Sequence, residues 1–285
     1  MPPDPVSLDA QSTDVLYHQP VYEPSLVREV ALEELLKVPG YFLIFVRVAS
    51  VFWLIPLFAV KNVSVYFKVA FSLVVTFVLI GVVPPPAIPM DNPYVLLLAI
   101  GKEALLGATI GFAIRILFTA IQAAGEVISI QMGFSFARTM DPFSETQTGV
   151  LDQFQYLLAL MIFFAADGHH LIIRGLCDSY KQLPLGSPAM SKGLMDYIVS
   201  STSSIFSLGL KIGAPVVVAL FLVELSLGLL SRMMPQMNIF VEGLPVKIFV
   251  GFSILSFSLA FIAPVLMDLF SGIQAEFARI LRLMV

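Results

Sequence analysis

The chain has 285 residues, of which 58% are hydrophobic and 13% charged, and its mean hydropathy is +0.91. Soluble domains carry about 45–50% apolar and about 25% charged residues, so an ordinary soluble globule is excluded and a membrane protein is expected. The net charge of −4 is too small to support nucleic-acid binding. A single cysteine, Cys177, excludes an internal disulfide and a multi-cysteine metal site.

Residues 1–24 are polar, proline-containing and acidic (Asp4, Asp9, Asp14, Glu23), and they predict a disordered tail. No basic residue precedes an apolar run there, so no cleavable signal peptide is expected. Ser25 is placed to cap a short amphipathic helix on the membrane surface within residues 25–40. Tyr41–Val60, which contains Arg47 and Pro56, has about 20 residues, enough for a hydrocarbon core of about 30 Å. Val65–Val83 is a second such segment, stopped by Pro84-Pro85-Pro86.

Tyr94 opens an apolar run that lasts to Phe136. As one straight helix it would be about 65 Å long, twice a bilayer. It must bend, break or rise out of the membrane inside an assembly, and Gly125 and Gly133 are the expected break points. Arg138–Gly149 is a polar loop with a turn-forming Asp141-Pro142 pair. Val150–Ala166 is apolar again and ends at Asp167-Gly168-His169-His170, and residues 176–204 read as a polar connection. Ile205–Leu230 and Ile248–Phe270 are two further apolar segments, joined through Arg232–Lys247. Ile273–Val285 predicts an amphipathic helix with Phe277, Ile280, Leu281 and Met284 opposite Glu276, Arg279 and Arg282. Lys and Arg fall on both sets of alternate loops, so the positive-inside rule sets no orientation. The fold class is all-α, an integral membrane helical protein.

One stripe stands out on the third long run. Steps of three and four connect Ala104, Ala108, Gly111, Arg115, Thr119, Gln122, Glu126, Ser129 and Gly133, which places them on one helical face. A central charge facing lipid costs roughly 2.5–3.5 kcal/mol even on the mildest scale. The row is therefore expected to face protein or water. Arg115 and Glu126 lie about 16 Å apart along the axis, so each needs another partner. Gly107-xxx-Gly111 permits close helix approach.

Arg47, Glu103 and Glu224 are further charges expected to be buried inside apolar runs. They fit either an ion pathway or salt bridges between helices or subunits, and pairing is the favoured reading. Asp167, His169 and His170 resemble a metal trio, yet adjacent helical histidines point about 100° apart, and no His-Glu-x-x-His word is present. A turn or helix-end role is favoured, and no metal, cofactor or catalytic residue is assigned. No phosphate-cradling G-x-x-x-x-G-K-[ST] loop exists either, so any work is driven by a partner or an ion gradient. Met132, Gly133, Phe134, Phe136, Met140 and Phe143 cluster where a helix gives way to a polar turn. Irregular backbone at membrane depth is tolerated where it serves a cavity. Flexible methionine and flat phenylalanine close around an irregular object and exclude ions without it, so a gate is favoured over plain core.

Taken together, these words resemble the FliR family, the T component of the type III export gate in flagella and injectisomes. The matching words are Phe45-Val46-Arg47 with Pro56, Gly107 to Gly111, Ala124-Gly125-Glu126, Gln131-Met132-Gly133, Ser135-Phe136-Ala137, Asp141-Pro142, Gly168-His169 and Leu183-Pro184-Leu185-Gly186. The last runs from Leu229-Leu230-Ser231-Arg232 through Pro235-Gln236-Met237-Asn238-Ile239-Phe240 to Gly243, Pro245 and Lys247. The resemblance covers about Val27 to the C-terminus, and Phe143 stands where relatives often carry a small residue.

The resemblance implies long helical hairpins in a hetero-oligomeric helical gate, with P-type and Q-type subunits and other export-apparatus membrane components as partners. It implies a P-like part over residues 41–175 with a plug loop at 132–148, and a Q-like hairpin over residues 205–272. Arg232, Pro235, Gln236, Asn238, Gly243, Pro245 and Lys247 would form the hairpin tip at the cytoplasmic entrance. Unfolded export substrates would be the cargo, and the place the bacterial inner membrane at the flagellar basal body. The alternatives are a virulence (injectisome) type III export-gate subunit and, behind it, an ion-coupled secondary transporter using Glu103, Arg115 and Glu126 as a relay.

Overall fold

A computed structural model describes residues 24–59, 63–83, 93–134, 149–236 and 238–284. Among them the secondary structure is helical throughout: α1 (Pro24–Leu54), α2 (Pro56–Ala59), α3 (Val65–Ile80), α4 (Pro93–Gln131), α5 (Val150–Ala165), α6 (Gly168–Gln182), α7 (Lys192–Met233), α8 (Ile239–Ser271) and α9 (Ile273–Leu283). The acidic tail, Pro84–Pro86 and the loop 135–148 lie outside the described residues.

Helix α4 is the spine, with α1, α5, α7 and α9 packed on it. It is one 39-residue helix, about 58 Å long, and it holds the largest set of buried positions. Gly125 does not break it: that residue is helical and lies against the backbone of Asp152 on α5. Gly133 does break it, because its φ of +88° is a left-handed conformation that suits glycine and ends the helix. The close approach of α1 depends on Gly107 and Gly111. A Cβ at Gly111 would sit 2.7 Å from the carbonyl oxygen of Val51, so only glycine lets the two backbones meet there.

Four helical stretches are long and apolar enough to cross a membrane, within Lys37–Leu54, Pro93–Gln131, Lys192–Met233 and Val241–Leu283. The pair Leu151–Ala165 and Gly168–Gln182, bent by 65°, counts as one more if it is a single broken span. Helix α3 falls short of the span expected from Val65–Val83. Its 16 residues reach about 24 Å, because the chain turns at Gly81 and Val82.

Two other boundaries differ from expectation. The surface helix and the first span are one helix, α1, which continues through Pro39; proline removes one backbone bond there without ending the run. The polar connection at 176–204 is mostly helix, with α6 running to Gln182 and α7 starting at Lys192. The serine-rich stretch reads as loop by composition. Its hydroxyls, however, bond back to the helix's own carbonyls, Ser200 to Tyr197, Thr202 to Ile198, Ser203 to Ser200 and Ser204 to Ser201. The C-terminal helix α9 follows its pattern, burying Ile273, Phe277, Ile280 and Leu281, with Met284 buried just beyond it.

The buried side chains form two clusters. The larger joins α1, α4, α5, α6, α9 and the distal parts of α7 and α8, with Phe118, Phe163 and Phe270 in mutual contact. The smaller contains Ile128, Met132, Leu151, Val216, Leu220 and Leu255, where α4 ends and α5 begins.

Candidate functional site

Charges within apolar helices mark functional positions by default, and here the candidate residues, charged and apolar, fall into three environments. The first is closed. Arg47 on α1 and Glu103 on α4 are both fully buried. Arg47 Nε donates to Glu103 Oε2 at 2.5 Å, Nη1 to the Ser179 hydroxyl at 3.1 Å and Nη2 to the Leu183 carbonyl at 3.1 Å. The second carboxylate oxygen of Glu103 accepts from the Gly186 backbone N–H at 2.7 Å. The Tyr180 ring lies 4.2 Å from the guanidinium carbon, in cation–π range, and its hydroxyl donates to the Ile44 carbonyl. Every nitrogen of the guanidinium and both carboxylate oxygens have a partner, the condition under which a buried ion pair is tolerated. Pairing within one chain is thus the outcome for Arg47 and Glu103. Ser179 and Tyr180 are contributors that sequence reasoning missed, although the Leu183–Gly186 word bordered them.

The second environment is open. Arg115, Gln122 and Glu126 are exposed on the surface of α4, while Gly111, at the head of the same stripe, is buried against α1 and Ser129 is buried near its foot. The row is not one continuous face of contact, because α1 covers its first part only. Glu103 is engaged by Arg47, and about 18 Å of helix separates it from Arg115, so the three residues of the alternative relay are not brought together in this chain.

The third environment joins the start of the loop to the second long hairpin. Met132 is fully buried and packs on Gly251 of α8, where an added Cβ would lie 2.7 Å from Met132 Cγ. Gly133 lies under the Leu244 side chain. The Phe134 ring meets Phe252 edge-on, with centroids 6.3 Å apart. The far end of the loop is fixed nearby, where Asp152 Oδ2 accepts from the Gly149 backbone N–H at 3.0 Å and Leu151 enters the same small cluster. Phe136, Met140 and Phe143 lie outside the described residues. Beside this junction, Leu151, Phe154, Phe252, Leu255, Ser256 and Leu259 line a cavity of about 320 Å³. Leu244, Gly251 and Phe252 carried no local signal, since nothing in an apolar run says which of its residues meets a distant loop.

The hairpin tip is also placed differently from expectation. Arg232, Pro235, Gln236 and Asn238 are exposed around the turn, but Gly243, Pro245 and Lys247 belong to α8. Glu224 is not buried. Its side chain is 55% exposed and pairs with Lys247 at 2.9 Å, because other faces of the α7–α8 hairpin are left uncovered along much of its length.

With this geometry in place, comparison with known proteins is specific. Residues 38–273 match the family described as bacterial export proteins, family 1. The chain is 34% identical over 237 residues to the flagellar biosynthetic protein FliR of Bacillus subtilis, covering 82% of this chain and 91% of the relative. It is 34% identical over 233 residues to that of Escherichia coli, covering 82% and 89%. It also aligns with the Yop proteins translocation protein T of Yersinia pestis, 34% identical over 164 residues, covering 57% of this chain and 62% of the relative. A match across this much of the sequence, on an all-helical fold with several membrane-length helices, assigns the chain to the bacterial export proteins, family 1.

Proposed function

We propose that the chain is a subunit of the flagellar type III protein export gate, forming part of the channel by which unfolded flagellar proteins cross the inner membrane. It acts there as a channel-forming component and not as a catalyst. The observation that carries this reading is the contrast on α4. Arg47 and Glu103 are satisfied within the chain, whereas Arg115, Gln122 and Glu126 are left exposed on an apolar helix. A membrane protein with such a row is built for neighbours or a water-filled lumen. P-type and Q-type subunits are the proposed neighbours, with residues 41–175 as the P-like part and the α7–α8 hairpin as the Q-like part. The names of the Bacillus and Escherichia relatives favour a flagellar machine, and the shorter alignment with the Yersinia protein supports the injectisome as the second reading.

The loop over residues 132–148 is the proposed plug. Its first residues are held on α8 by Met132 and Phe134, and Gly149, just after it, is held by Asp152. Anchored at both ends, the intervening segment can cross an aqueous path without being torn from the bundle. In liposomes carrying the assembled complex, Ala at Phe134, Phe136 and Met140 is expected to raise ion leakage with assembly intact. Unchanged leakage from a properly assembled complex rules out the plug. The chain alone in liposomes is expected to transport nothing, and ion-coupled activity from it would favour the transporter instead.

A further inference from the structure

The corner between α5 and α6 holds a cluster that the export reading does not use. The two helices meet at a bend of 65°, and the turn is made at Asp167, whose φ of 54° is the only positive value at a non-glycine residue among those described. Asp167 is the N-cap of α6, the position at which an aspartate ordinarily accepts from the first free N–H groups of the helix. Here its side chain makes no capping bond. The carboxylate turns instead to His170, with Oδ1 3.2 Å from Nδ1.

The histidines do not diverge. Their ring centroids are 4.1 Å apart. Both lie in the first turn of α6, where no preceding helical turn crowds the side chains and χ1 is less restricted. His169 is also seated against Phe164, centroids 5.5 Å apart. Its Nδ1 is buried and has no hydrogen-bond partner among the described residues, which is costly for a polar atom unless something supplies one.

One donor atom from each of Asp167, His169 and His170 lies within 4.8 Å of the others. Ligands held about 2.0–2.1 Å from a tetrahedral ion are about 3.3 Å from one another, and the Asp167–His170 pair is already at that separation. We propose that Asp167, His169 and His170 form a site for a divalent transition metal of the zinc class. It has three protein ligands and leaves at least one position to solvent. The ion would pin the turn at Asp167 to the first turn of α6: it would take up the carboxylate that does not cap and a nitrogen from each ring.

The test uses the full-length chain in detergent, purified without a polyhistidine tag and titrated with Co²⁺, whose visible absorption reports coordination by nitrogen and oxygen. The chain has three histidines in all, so His18 is the one histidine outside the cluster. Wild type is expected to take up one Co²⁺ per chain, displaced by Zn²⁺. Asp167→Asn and His170→Ala are each expected to weaken binding roughly tenfold or more, the scale on which metal sites respond to loss of a supporting group. Both side chains are largely exposed, 75% and 59%, so the variants keep their fold, and circular dichroism verifies this. His18→Ala is expected to change nothing, and Zn²⁺ should raise the Tm of wild type but not of His170→Ala. No uptake by wild type, uptake unaltered in Asp167→Asn and His170→Ala, or uptake lost with His18→Ala would each overturn the site. None of these results bears on the export reading, which does not involve the corner.

Discussion

The two halves of α4 treat the same kinds of residue in opposite ways. Near its start Glu103 is sealed in a network with Arg47, Ser179, Leu183 and Gly186, without water access. In its second half Arg115, Gln122 and Glu126 are exposed. The difference is one of coverage. Helix α1 reaches the first half because Gly107 and Gly111 admit its backbone, and it does not continue along the rest. A charge in an apolar helix therefore has two settings in one molecule: an internal clasp where a second helix lies over it, and an exposed side chain where none does.

The comparison is broken most severely at the clasp. Glu103→Ala leaves Arg47 charged, buried and short of its acceptor, which costs about 3–5 kcal/mol for a pair of this type. Thermal unfolding in detergent is expected to show a large drop in Tm, with poor accumulation in membranes. Arg47→Met combined with Glu103→Leu is expected to recover much of that loss, because removing both charges is far cheaper than stranding one. Gly111→Leu attacks the same half through packing. The helices must part by the depth of a side chain, and overpacking of this sort costs about 1–3 kcal/mol. Its Tm should fall by less than that of Glu103→Ala.

The open half is expected to respond in the reverse sense. Glu224→Gln removes an exposed pair with Lys247, and such pairs contribute about 0–1 kcal/mol. Arg115→Ala and Glu126→Ala should change the stability of the isolated chain by no more than about 0.5 kcal/mol, as is usual at exposed positions. Their effect should appear in co-purification with the proposed P-type and Q-type partners. A Tm loss at Arg115 as large as that at Glu103 would erase the distinction between the halves.

Much of the helical layout follows from local patterns. Apolar run length marks the spans, Gly133 marks the end of α4, and the spacing of Phe277, Ile280 and Leu281 marks the buried face of α9. Local composition misleads where a helix absorbs its own polar groups, as in the serine stretch of α7, and where it continues through a proline, as α1 does at Pro39. The site was visible only in part. That Arg47 needs a partner follows from its setting, but the partner lies 56 residues away and leaves no local trace. The seating of Met132 and Phe134 on Gly251 and Phe252 is hidden for the same reason. The apolar sequence neighbours of Glu224 predict a buried carboxylate, whereas its exposure depends on what lies across from it in space.

The most direct test places single cysteines at Arg115, Gln122 and Glu126 in a Cys177→Ser background. A fluorophore on each reports quenching by brominated acyl chains in the assembled complex, with Ile114→Cys as the buried reference. The expected result is quenching at all three positions no greater than at the reference, because protein or water covers the row. Strong quenching at all three in a correctly assembled complex would put the charges against lipid and contradict the assignment of this face to the gate.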